Sequence, residues 1–216
     1  MRKFVFISLT IVEIYFSRMF VTNSFAYDEM GSESFAKLAF VEGKSKDKIT
    51  MCNLTFQVSK NDYIYKKGKN IFVWGGISYL GYGFALKVEV ADAKEYLSFL
   101  KNNQPELIKS ESINYAYFFS ENCKSGDKNC SSIDSEIKLD KSEKGGFFAV
   151  YGIDNKAFLN FLSFQNEKFI IDFNRKKDGN DLSFIIDLTI KDNQREYIKF
   201  LECNSNLVEN IYKKAA

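Results

Sequence analysis

Three copies of one short pattern restrict this chain more than any other feature. They are "DAKEYLSFL" from Asp92, "DNKAFLNFL" from Asp154 and "DNQREYIKFL" from Asp192. The first two share an aspartate, an aromatic four residues on, and Leu-x-Phe-Leu in one register. The third matches after one inserted residue. Each aspartate closely follows an apolar run of β character: "FALKVEVA", "GFFAVYGI" and "LSFIIDLTI". Aspartate at a strand-to-helix junction is a favoured N-cap, because its carboxylate accepts from the free amides of the first turn. At Asp92 the signal is stronger, since Glu95 stands where a capping box needs it. Apolar residues then recur at helical spacing: Tyr96, Phe99 and Leu100; Phe158, Phe161 and Leu162; Tyr197, Phe200 and Leu201. Such faces pack on a sheet. The aspartates therefore read as caps rather than an acidic site, and the aromatic stripes as core rather than a cofactor box.

A hairpin is expected before each helix. The clearest is "KFIIDFNRKKDGNDLSFIIDLTI", whose second arm alternates Leu182, Phe184, Ile186, Leu188 and Ile190 with Ser183, Ile185, Asp187 and Thr189. Period two means one buried face, and Asp178-Gly179 is a tight-turn signal. The first hairpin spans about 71–91 and the middle one about 113–153, with a long excursion at 120–146. A strand near Thr50–Val58 precedes them. "SESFAKLAFVEG", residues 32–43, reads as a short helix with a serine start and a glycine end. The last helix extends or re-forms through "NLVENIYKK". The predicted class is α+β: a mainly antiparallel sheet built from three strand–strand–helix units, with the helices on one face.

The chain opens with Met1-Arg2-Lys3, an apolar run from Phe4 to Val12, and Ser24-Phe25-Ala26. A charged start, an apolar core of about 7–15 residues and a small-x-small exit describe a secretory signal peptide. Residues 1–26 are read as that signal and 27–216 as a single exported domain, periplasmic or secreted, with no transmembrane segment after cleavage. Losing Arg2, Lys3, Arg18 and Glu13 takes 30 basic and 28 acidic residues to 27 of each. A nucleic-acid binder needs a basic surplus against phosphate, so nucleic acid is excluded as a partner. The short runs Lys66-Lys67 and Arg175-Lys176-Lys177 read as solvated turn residues.

Four cysteines in an exported chain read as disulfides. Cys123 and Cys130 bracket "KSGDKN" and suit a local bridge, which leaves Cys52 to join Cys203. On chain entropy the long closure is worth roughly 5 kcal/mol and the short one roughly 2.5. The paired short spacings of a four-thiolate metal site are missing, so no metal is expected. There is no histidine, which rules out Ser-His-Asp and Cys-His nucleophiles and histidine-ligated metals. No cofactor is expected and the chain is not read as an enzyme.

Two stretches remain. "WGGISYLGYG", residues 74–83, lacks the spacing of a phosphate loop. It reads as a hairpin whose Trp74, Tyr79 and Tyr82 are the candidate ligand-binding residues, with Gly75-Gly76 marking a bulge or a close backbone approach. Asp172 and Asp187 lie on opposite arms of the last hairpin and face each other directly or diagonally, depending on the turn. Paired carboxylates can do acid–base work. The sequon Asn53-Leu54-Thr55 lies in a strand, a poor place for an acceptor; a second covers Asn129-Cys130-Ser131. The reading is an exported, non-catalytic interaction protein whose partner is another protein, in an inhibitor, immunity or host-facing role. The alternatives are a small-ligand or glycan binder and a carboxylate-based glycan hydrolase.

Overall fold

Alternation decides which way each strand faces. On β3 (Lys69–Tyr79), Ile71, Val73 and Ile77 point into one apolar core, while Phe72 and Trp74 point the other way. On β4 (Gly83–Asp92), Leu86, Val88 and Val90 join the first set and Ala91 the second. Leu38 of β1 (Lys37–Ser45) and Cys52, Leu54, Phe56 and Val58 of β2 (Lys48–Asp62) join the first set too. The helix α1 (Ala93–Lys101) follows, then β5 (Tyr115–Ser120), β6 (Glu136–Lys138), β7 (Phe147–Gly152) and the helix α2 (Lys156–Ser163). The chain closes with β8 (Lys168–Asn174), β9 (Leu182–Asp187) and the helix α3 (Lys191–Ala215). This is a computed structural model, which describes residues 35–45, 48–102, 104, 108–122, 131–132, 136–138, 145–163, 167–177 and 179–215. The signal-peptide reading and the Cys123–Cys130 bridge lie outside the described residues.

The fold is α+β with antiparallel ladders in two sheets. One is six-stranded, in the order β1-β2-β3-β4-β7-β6, and the other three-stranded, β5-β8-β9. A continuous core fills the space between them. Phe56 and Leu86 come from the first sheet, Phe118, Phe169 and Phe184 from the second, and Phe158, Phe161, Tyr197 and Phe200 from α2 and α3.

Several expectations change at this level. The middle pair is not a hairpin, because β5 ladders with β8 and β7 with β4. A long connection costs little extra to close, so it does not hold its two arms together. Each arm joined an apolar edge elsewhere. The helices also do not share one face. Tyr96 of α1 stacks on Phe72 at 3.9 Å and tilts against Trp74 at 5.1 Å. That places α1 on the far side of the six-stranded sheet from α2 and α3. Residues 37–43 form β1 rather than a helix, pairing from Lys37↔Gln57 onward with a bulge at Gly43/Lys44. The ladder to β2 outweighs local helix preference, which is worth only tenths of a kcal/mol per residue. Of the three caps, Asp92 behaves as read, its Oδ1 accepting from Lys94 N at 2.9 Å and Glu95 N at 3.4 Å. At α2 the cap is Asn155, whose Oδ1 accepts from Ala157 N and Phe158 N. Asp192 sits inside the first turn of α3, where its charge still suits the helix dipole.

The helix α3 closes the structure against β1. Asn193 is buried; its Nδ2 donates to the carbonyls of Ala36 and Asp187 at 2.9 and 3.0 Å, and its Oδ1 accepts from Leu38 N at 3.0 Å. One turn on, Glu196 Oε2 accepts from Phe40 N at 3.2 Å. Leu38 and Phe40 are on the outer edge of β1, so side chains of α3 occupy donors that an open edge would offer to another chain. The Cys52–Cys203 disulfide then fastens α3 to β2. Among the described residues no helix is long and apolar enough to cross a membrane.

Candidate functional site

The densest polar cluster lies where the β2–β3 turn meets the β8–β9 connection. Phe173 pairs with Leu182, so β8 and β9 are not joined by the two-residue turn expected at Asp178-Gly179. The register consequently sets Asp172 opposite Ser183, and Asp187 opposite Lys168. Asp172 and Asp187 stand four positions apart, roughly 13 Å at the rise of a strand, and they do not form a pair. Asp187 is occupied elsewhere, its Oδ1 accepting from Thr189 N at 2.8 Å and Thr189 Oγ1 at 2.6 Å.

Asp172 meets a different carboxylate. Tyr117 Oη lies 2.8 Å from Asp172 Oδ2 and 3.0 Å from Asp181 Oδ2, and Asn174 Nδ2 donates to Asp181 Oδ1 at 3.0 Å. A phenol has one proton to donate, so the second short contact needs a proton from a carboxyl. Of the two, Asp172 is the carboxyl held above the ordinary aspartate range. Burial raises its pKa, Asp181's charge adds to this, and together they outweigh the Ser183 and Tyr117 hydroxyls and Lys60. Asp172 Oδ1 is buried without a hydrogen-bond partner, which costs less for a neutral acid than for a carboxylate. The Tyr117 hydroxyl is raised in turn, first by burial and then by its bond to Asp172. The trio can hold and pass a proton among its three members.

The folded chain holds the Asp172 proton to higher pH than the unfolded chain, which loses it above about pH 4. Stability from this group is therefore full below that value and falls as pH rises through the raised pKa. Asp172→Asn removes that loss. It is expected to be more stable than the wild type at pH 8 and equal to it near pH 3.5, as read by urea midpoints. Destabilisation at both pH values would show that the carboxyl is not the source.

Beside the trio is a charged network. Arg175 Nη1 donates to the fully buried Asp62 at 3.0 Å, and Arg175 Nη2 pairs with Glu111, which also takes Lys66 Nζ at 2.9 Å. Asp62 Oδ1 accepts from Tyr65 N at 2.7 Å, the Tyr65 hydroxyl donates to the carbonyl of Asn180, and Arg175 lies 5.9 Å from the Tyr65 ring centre. Removing one partner would strand a buried charge, so the network fixes both turns.

The sequence-selected residues Trp74, Tyr79 and Tyr82 do not converge. Trp74 is buried under α1, and Tyr79 is buried on the opposite face of β3 against Phe84. Tyr82 is 51% exposed at the β3–β4 turn, where Gly81 has φ +80 and Leu80 N donates to Gly83 O at 3.0 Å. Gly75 marks a close approach rather than a bulge. A Cβ there would fall 1.9 Å from the Lys87 carbonyl oxygen and 2.6 Å from the Phe56 ring. The first sequon is out of reach, since Asn53 is fully buried and accepts from Ser78 Oγ at 3.0 Å.

Sequence reasoning passed over Tyr115, Tyr117 and Phe119. They form a row on the outer face of β5, with ring centres 5.7 and 5.6 Å apart. Their signal was the alternation in "YAYFF", with Ala116 and Phe118 turned to the core. The Asp62–Arg175 contact had no local signal, as its partners are 113 residues apart. Among the described residues no group of three or more histidines, cysteines, aspartates or glutamates could hold a metal ion. Comparison of the chain with protein-family models, with curated proteins and with solved structures finds no match in any of the three.

Proposed function

We propose that the chain is an exported, non-catalytic interaction protein that binds another protein at the end carrying Tyr82. The observation behind this reading is a pair of exposed apolar side chains at one end of the six-stranded sheet. Gly83 and Gly152 form the last rung between β4 and β7, and Tyr82 and Ile153 lie one residue beyond it, each 51% exposed. Leu159, on the helix that follows, is exposed as well. Aromatic and aliphatic side chains gathered in this way are the usual anchors of protein interfaces. The signal-like segment at 1–26 and the Cys52–Cys203 bridge support export. The absence of histidine supports a non-catalytic role.

The test is affinity purification of the full chain from its own cells, beside a Tyr82→Ser/Ile153→Ser variant. The expected result is a stoichiometric protein partner for the wild type and none for the variant. A partner retained by the variant, or no partner at all, overturns the reading. A second reading, glycan binding, rests on the Tyr115–Tyr117–Phe119 row beside Asp181 and Asn174. Sugars stack on such rings and bond to such polar groups. A rise in melting temperature with oligosaccharides, abolished by Tyr117→Ala, would favour it.

A further inference from the structure

We propose that the other end of β3 is a docking surface for an anionic lipid bilayer. This goes beyond the Tyr82 reading and does not depend on it. The two short basic runs, far apart in sequence, meet here. Tyr65 bonds to the carbonyl of Asn180, and Arg175 bonds to Asp62 and Glu111, which brings the 63–68 turn against the β8–β9 connection. These contacts use up Arg175 and Lys66. Lys67, Lys69, Lys176 and Lys177 remain exposed, with no ion-pair partner among the described residues. Four acids near the lysines, Asp62, Glu111, Asp172 and Asp181, are turned into the internal network, while Asp92, opposite Ile71, is taken up in capping α1 and Glu95 next to it is exposed. Asp178 of the same segment lies outside the described residues.

On the same turn as Lys67 stand Tyr63, 75% exposed, and Ile64, 43% exposed. Tyr63 leans over Gly68, which has φ +81 and where a Cβ would come within 2.9 Å of the ring. The turn therefore presents its aromatic outward on a fixed backbone. The occupant follows from area and charge. At these exposures Tyr63 and Ile64 offer on the order of 250 Å² of contact, well short of the ~800 Å² per partner of a stable protein interface. A headgroup layer needs no such complementary area. It accepts an amphipathic ring and an aliphatic side chain at its boundary, while lysine charges add up above it. Each lysine near an anionic surface raises partitioning about fivefold, and four do so on the order of several hundredfold. The attraction is screened by salt.

The test is co-sedimentation of the full chain with vesicles of phosphatidylglycerol and phosphatidylcholine in equal parts, against pure phosphatidylcholine, at low and high salt. The expected result is binding to the anionic vesicles alone, falling steeply with salt. Lys67→Glu/Lys177→Glu should lower partitioning more than a hundredfold at an unchanged melting temperature. Tyr63→Ser should lower it about tenfold with the salt dependence kept. Failure to bind anionic vesicles, equal binding to both vesicle types, or binding untouched by these variants overturns the proposal. Retention on polyglutamate without vesicle binding also overturns it, and assigns the surface to an acidic protein.

Discussion

Replacing both Cys52 and Cys203 by alanine is expected to destabilise the fold by about 5 kcal/mol on the chain-entropy account. The bridge spans 151 residues. Without it the unfolded chain regains the freedom of a loop running from β2 to α3, which is most of the molecule. Both sulfurs are buried, and alanine at each position adds a small packing loss in the same direction. For a chain of this size 1 kcal/mol moves the melting temperature by about 2–4 °C, so the transition should fall by roughly 10–20 °C. The double variant isolates this bridge from Cys123 and Cys130, which a reductant would also reach if they are joined. Urea denaturation of the variant and the wild type measures the difference. A loss under 1 kcal/mol would mean that the unfolded chain is constrained by something else. The half of α3 before Cys203 has its own attachments through Asn193 and Glu196. The end beyond Cys203 should therefore exchange its amide hydrogens faster in the variant than the beginning does.

Phe158→Ala should cost about 4 kcal/mol. Phe158 is fully buried, and its ring joins both sheets. It stacks on Phe84 of β4 at 5.0 Å and on Phe118 of β5 at 5.2 Å, and tilts against Tyr151 of β7 at 5.1 Å. Phe118 in turn meets Phe161 and Phe169, each at 5.2 Å. Truncation leaves a cavity walled by rigid rings from three separate elements, and none can move in without leaving its own ladder. Aromatic contacts contribute beyond area alone. Phe158→Leu should recover about half of the loss, since it refills part of the volume. Chemical denaturation measures both. A cost below 1 kcal/mol for the alanine would show that the core collapses around the site, and that the sheets are not held together through this ring.

Much of the fold was legible, and for a common reason. The Asp92 cap, the helical stripes of α1, α2 and α3 and the alternation on β8 and β9 each depend on neighbours a few residues away, so their signals are written locally. The Cys52–Cys203 pairing was legible by elimination, once "KSGDKN" had matched Cys123 with Cys130. The candidate site was much less so. Trp74 and Tyr79 are adjacent in text to Tyr82, yet alternation and the α1 contact put them on opposite faces and under cover.

Local chemistry alone specified that this chain would build strands capped into helices, and how each strand would divide its faces. Which edges met was another matter. β5 could leave β7 for β8, residues 37–43 could become a strand, Asp172 could find Asp181 instead of Asp187, and two lysine runs could share one end. Those outcomes turned on long-range partners, because a strand edge or an unpaired charge is satisfied by whichever complement the packed whole brings within reach, and nothing in the neighbouring residues encodes it.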